Sequence, residues 1–186
     1  RTFAAQDHGR SEAGICRLSL RESRVLSRSE RRLFSPVGVE RLQNMLEIEL
    51  VNRQTRHAVD TERLRDAARM VLEGEAISRA TLSIAVVSDR AIRPLNRRYL
   101  QHDYATDVLS FLLDSGSGWL DGEIVISADT AASQAPQYDS SAEAELLLYV
   151  IHGVLHLVGY EDTTPSERKR MLARQRRYLR RLQSVR

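Results

Sequence analysis

Two histidines and an aspartate, His152, His156 and Asp162, stand in the stretch Ile151-His152-Gly153-Val154-Leu155-His156-Leu157-Val158-Gly159-Tyr160-Glu161-Asp162 with the spacing of a metal site. Residues four apart on a helix sit one above the other, with Cβ atoms about 5 to 6 Å apart. One zinc ion with Zn–N bonds of about 2.0 to 2.1 Å can bridge two imidazoles so placed. Gly159 can take the left-handed conformation that ends a helix, and the turn beyond it lets Asp162 offer a third ligand. Three protein ligands leave a fourth tetrahedral position for water, as in catalytic rather than structural zinc sites. The pattern predicts a metal-dependent hydrolase holding one zinc ion per chain, with other divalent metals as substitutes.

The residues around the histidines strengthen this reading. Leu146, Leu147, Leu148, Tyr149, Val150, Ile151, Val154, Leu155, Leu157 and Val158 make a helix that is apolar all round, and such a helix is buried. Two buried imidazoles without partners cost stability, and a shared cation satisfies both. The spacing also resembles that of the metzincin peptidases, with Asp162 in place of a third histidine. Those enzymes carry a glutamate directly after the first histidine as the general base, and this chain has Gly153 there. A metallopeptidase is therefore the alternative reading.

The wider motif, His-Gly-x-Leu-His-Leu-x-Gly-Tyr followed by an acidic residue and a third ligand, resembles the signature of the YbeY family. Two further blocks agree with it in order and distance: Thr106-Asp107-Val108-Leu109-Ser110-Phe111 and Asp121-Gly122-Glu123-Ile124-Val125-Ile126-Ser127. The resemblance covers roughly residues 46 to 182. It implies a single-strand-specific metallo-endoribonuclease of ribosomal RNA processing, including maturation of the 16S rRNA 3′ end, with RNA and the ribosome as partners. It places Asp107 and Ser110 in a family motif, either lining the cleft or serving as strand-end hydrogen bonders, and it leaves a non-enzymatic ribosome-associated factor, in which the metal only fixes the fold, as a further alternative.

Two positions depart from the family pattern. Asp162 stands where the family usually has histidine, and the harder oxygen ligand shifts metal preference toward other divalent ions. Leu100 follows Tyr99 where the family tends to carry an arginine; Arg97 and Arg98 are the nearby candidates for contact with RNA phosphate. Glu161 is the one candidate named for help at a metal-bound water, and no general acid or base is otherwise assigned.

Composition narrows the setting. The single cysteine, Cys16, excludes an internal disulfide, and His/Asp ligation suits a reducing compartment. No apolar run reaches the 18 or so residues needed to span a bilayer, and no signal-peptide core precedes the domain, so a cytoplasmic protein is expected. The net charge of +3 is segregated: residues 163–186 carry +8 and residues 1–45 carry +4, which leaves −9 for the rest. Any RNA contact must therefore follow the arginines, because the body of the domain is acidic.

The elements that must position these residues follow from periodicity. Residues 1–45 alternate Arg and Ser with little apolar pattern. They read as a disordered basic extension, from an over-extended gene start or an unstructured tail. Residues 46–186 read as the metal-dependent endoribonuclease domain. Strands are predicted at 46–50, 81–87, 107–112 and 123–127, with a Gly/Ser loop at 114–118. Helices are predicted at 61–73, at 88–100 with a kink or shortening at Pro94, and from an Asp129 cap to Gln134. The long metal-bearing helix opens with a Ser140/Glu143 capping box, and the last helix with Thr164-Pro165-Ser166-Glu167. That last helix presents Met171, Leu172, Tyr178, Leu179 and Leu182 on one face and a basic surface on the other. The expected fold is α+β: a small mixed four-stranded sheet packed with helices, and a metal site at the C-terminal end of a buried helix.

Overall fold

The computed structural model describes residues 45–184 and the backbone of residues 15–17. The chain runs β1 (Ile15–Arg17), β2 (Met45–Asn52), α1 (Thr61–Gly74), β3 (Arg79–Val87), α2 (Asp89–Leu100), β4 (Val108–Gly116), β5 (Trp119–Ser127), α3 (Ala128–Gln134), a 3-10 turn (Ala135–Tyr138), α4 (Ala142–Leu157) and α5 (Pro165–Gln183). The sheet order is β1-β4-β5-β3-β2, with β4 and β5 antiparallel and every other pair parallel. The α+β architecture and the four mixed strands β2 to β5 are as expected. The three-residue β1 at the β4 edge is additional. Apart from it and Met45, the extension expected at residues 1–45 lies outside the described residues.

Alternation along the strands sends side chains to two unequal layers. Leu82, Ile84, Val86, Val108, Leu120, Ile124 and Ile126 pack with Leu64, Ala68, Val71 and Leu72 of α1 and with Val150, Ile151, Val154 and Leu155 of α4. Val87, Leu109, Phe111 and Val125 face the other way, against Ile92, Leu95, Tyr99 and Leu100 of α2. Each fully buried Leu, Ile or Val side chain contributes about 1.5–3 kcal/mol relative to exposure. The α1/α4 layer is therefore the principal core, and it is the one that carries the histidines.

Several local expectations are corrected. The β4–β5 connection is shorter than the predicted loop: the strands run on to Gly116 and Trp119, with Gly118 at φ 74° in the turn and a register shift between Leu112 and Asp114. Helix α2 passes through Pro94 uninterrupted. Pro94 and Arg90 are both exposed, so the Arg90 carbonyl that lacks a partner inside the helix can turn to water. Ser127 caps α3 by accepting from the Thr130 N–H at 3.2 Å, not Asp129. Asp129 instead accepts from the Asp89 N–H at 3.1 Å and meets His57 Nε2 at 2.9 Å. Ser141, not Ser140, caps α4, accepting from the Ala144 N–H at 3.1 Å. The Thr164/Glu167 capping box at α5 is present as predicted, while Leu172 of that helix is exposed rather than packed.

Candidate metal centre

Helix α4 ends in the manner its sequence predicts. Gly159 sits at φ 96°, its N–H bonds the His156 carbonyl at 2.9 Å, and the Tyr160 N–H bonds the Leu155 carbonyl at 3.0 Å. This pair of bonds is a Schellman motif, which satisfies the orphan carbonyls of the last turn and reverses the chain. The reversal brings the Tyr160 carbonyl back onto the helix, where His156 Nδ1 lies 2.9 Å from it. A carbonyl only accepts, so Nδ1 carries the ring proton and Nε2 presents a lone pair.

Three donor atoms converge there. His152 Nε2 and His156 Nε2 are 2.9 Å apart, and Asp162 Oδ2 lies 3.7 Å from the first and 3.9 Å from the second. A tetrahedral zinc with bonds of about 2.0 to 2.1 Å keeps its ligand atoms roughly 3.3 to 3.4 Å apart. The triangle brackets that value, so the residues fit a small divalent ion without rearrangement of the backbone. His156 is buried, at 2% exposure, whereas His152 and Asp162 are half-buried and give the site its access to solvent.

Gly153, the position where a metzincin-like peptidase would carry its base, faces the sheet. A Cβ there would lie 3.0 Å from Ser110 Oγ and 3.1 Å from two carbons of Ile124. The missing side chain lets α4 lie close against β4 and β5, and a longer one would point away from the converging donors into the core. Ser110 is itself buried under this contact. Asp107 accepts from Thr106 Oγ1 at 3.0 Å and from the Val108 N–H at 2.9 Å, which fixes the entry to β4.

The weaker candidates lie elsewhere. Glu161 is half-buried and is not among the converging ligands. Arg97 and Arg98 are exposed on α2, whose apolar side packs on the sheet layer opposite α4. Arg97 reaches Asp103 at 4.0 Å, and the Arg98 guanidinium stands 5.3 Å from the Tyr99 ring centre. Leu100 packs against the α2 layer. A groove of about 250 Å³ on that side is lined by Glu49, Arg53, Ser83, Glu123 and neighbouring apolar residues, and none of the three ligand candidates reaches it.

Sequence reasoning missed the outer support of the site. The buried Gln175 of α5 places its side-chain amide 2.7 Å from His152 Nδ1. Glu75, just past α1, accepts from Tyr178 at 2.6 Å, from Tyr160 at 3.1 Å and from Arg174 Nη2 at 3.2 Å. These bonds pin the Schellman turn to α1 and α5. Burial, reinforced by the bond to Glu75, pushes the Tyr178 phenol above its ordinary value, so it remains an O–H donor. Tyr178→Phe should therefore lower the unfolding free energy in urea by about 1.5–3 kcal/mol, the usual worth of a hydrogen bond to a charged group. The one signal in the sequence was a polar residue at 175 between Met171 and Tyr178, at helical spacing on the apolar face.

A mixed sheet packed with helices, and a His/His/Asp group at the C-terminal end of a buried helix and the turn beyond it, define the class: an α+β domain with a group of side chains that could hold a metal ion. Comparison with known proteins names the family. The family model described as Endoribonuclease YbeY matches residues 49–183. A curated Endoribonuclease YbeY of Chloroherpeton thalassium is 39% identical over 130 residues, covering 70% of this chain and 92% of its own length. One from Geobacter metallireducens is 37% identical over 138 residues, with 70% and 92% covered. A solution structure of a Thermotoga maritima protein superposes with a TM-score of 0.54 at 25% identity, covering 74% of this chain and 90% of that one. This chain belongs to the YbeY endoribonuclease family.

Proposed function

We propose that the protein is a metal-dependent endoribonuclease that cuts single-stranded ribosomal RNA, with His152, His156 and Asp162 as ligands of one zinc ion. The observation that carries this is the convergence of those three donor atoms within 4.8 Å in a chain of this family. Zinc held there would supply Lewis acidity toward a phosphoryl oxygen and a nucleophilic water near neutral pH. The chain's own contribution is to hold the ligands: the Tyr160 carbonyl fixes the His156 tautomer, and the Schellman turn carries Asp162 back beside both rings.

The charge of α5 supports an RNA substrate. Arg168, Lys169, Arg170, Arg176, Arg177, Arg180 and Arg181 are exposed on the helix whose Gln175 touches His152. A cluster of exposed cations on one helix suits a phosphate backbone. A cytoplasmic location belongs to the same reading; among the described residues no helix is long and apolar enough to cross a membrane.

The test incubates the protein with single-stranded RNA, the same RNA as a duplex, and casein, each with and without chelator. Cleavage of the single strand alone, abolished by chelator and reduced roughly 100-fold or more in Asp162→Ala, is expected, because several kcal/mol of barrier lowering rest on the metal. Cleavage of casein alone would overturn the proposal in favour of a peptidase. RNA left intact by a metal-loaded protein would favour the non-enzymatic reading.

A further inference from the structure

We infer that Gln175 is a positioning residue for the metal centre: its amide bonds the outer nitrogen of His152, holds the ring in orientation and so tunes the affinity of the site for its ion. The inference rests on the proposed metal reading and adds a residue to it from a different helix. His156 has a fixed outer partner, the Tyr160 carbonyl, which can only accept. The corresponding position on His152, Nδ1, lies 2.7 Å from Gln175 Nε2, which can only donate, so Nδ1 accepts in the arrangement seen. When Nε2 of His152 serves as a ligand, the ring proton sits on Nδ1 and needs an acceptor, and the amide oxygen of Gln175 is within reach once its terminal group is turned. An amide offers a donor at one end and an acceptor at the other, so this residue can serve either tautomer of the ring, unlike the carbonyl at His156.

The surroundings are those of a built contact. Gln175 is only 3% exposed, so its polar end has little water to bond and must find partners inside the protein. It lies between Met171 and Tyr178, both buried, and the adjacent Arg174 is bonded to Glu75 and to the Tyr160 hydroxyl at 2.7 Å. One short stretch of α5 thus contacts the outer nitrogen of one histidine directly and, through Tyr160, steadies the turn that holds the other. Outer partners of metal-bound histidines typically change metal affinity by about 10- to 100-fold when removed.

The experiment measures zinc affinity by competition with a chromophoric chelator for the wild type, Gln175→Met, Gln175→Glu and His152→Ala. Gln175→Met keeps the volume and removes the hydrogen bond, and should bind zinc about 10- to 100-fold more weakly. Gln175→Glu keeps a strong acceptor for Nδ1–H and should bind at least as tightly as the wild type. A residue that only fills space gives the opposite order, because a buried carboxylate disturbs packing more than a thioether. Equal affinity in all three full-ligand proteins, or equal weakening in both Gln175 variants, refutes the inference while leaving the metal site intact. Wild-type affinity in His152→Ala would instead bring down the metal reading and this inference with it. Should Gln175→Met not fold, Gln175→Glu decides alone: looser binding than the wild type overturns the assignment.

Discussion

His156→Ala is expected to abolish zinc-dependent stabilisation and to reduce RNA cleavage by about 10³-fold, the equivalent of roughly 4 kcal/mol of lost barrier lowering. Two effects combine at this position. The ring supplies one of three converging ligand atoms, and losing it leaves a pair that holds a divalent ion poorly. The ring is also buried and bonded to the Tyr160 carbonyl, so the variant leaves a cavity and an unpaired acceptor at the end of α4. In chelator, where no ion contributes, that should cost about 2–4 kcal/mol of folding stability. Thermal unfolding with and without zinc separates the two terms. The wild type should gain about 2.7 kcal/mol at a free zinc concentration of 100 times its dissociation constant, and His156→Ala should gain nothing. A variant that zinc still stabilises as it does the wild type would falsify the ligand assignment.

The second large effect is expected at Gly153. Introducing the glutamate that a metzincin-like enzyme carries at this point should destabilise the fold by about 3 kcal/mol or more and confer no activity on casein. The added Cβ alone would press on Ser110 Oγ and Ile124 at 3.0 and 3.1 Å, and overpacking of this kind costs about 1–3 kcal/mol. The carboxylate beyond it would enter the core between α4 and the sheet without a cationic partner, which is costlier still. Gly153→Ala should show only the first cost. Urea unfolding of both variants, with a casein assay on the glutamate variant, provides the check. A stable, casein-cleaving Gly153→Glu would mean that α4 can rotate this position toward the metal ligands, contrary to the packing described.

These two positions also mark what was legible in the sequence. The metal helix could be read because its information is local: two histidines four apart, an apolar run and a glycine three residues on. The strands from Met45 to Ser127 were readable for the same reason, from alternation or continuous apolar stretches. Caps were misplaced by a residue or two, Ser140 for Ser141 and Asp129 for Ser127, because adjacent Ser and Asp side chains compete for the same N–H groups. Packing of the helix then decides which of them faces the first turn. Pro94 was expected to shorten or kink α2, but the helix continues past it to Leu100, with the freed carbonyl at an exposed position. The three residues of β1 are too short to carry any period.

The outer shell of the site was not readable at all. Gln175 meets a ring 23 positions earlier in the chain, and Tyr178 meets Glu75 across 103. No local propensity encodes such partners, and only the docking of α5 on α4 and α1 brings them together.

The placement of α5 bears on when the enzyme becomes competent. Gln175 follows His156 by 19 positions, and synthesis proceeds from the N-terminus at about 5–20 residues per second. Gln175 therefore leaves the exit tunnel roughly one to four seconds after His156, and for that interval the emerged histidines lack the segment that braces them. The contact between Gln175 and His152 is thus the last part of the cluster to form as the chain emerges.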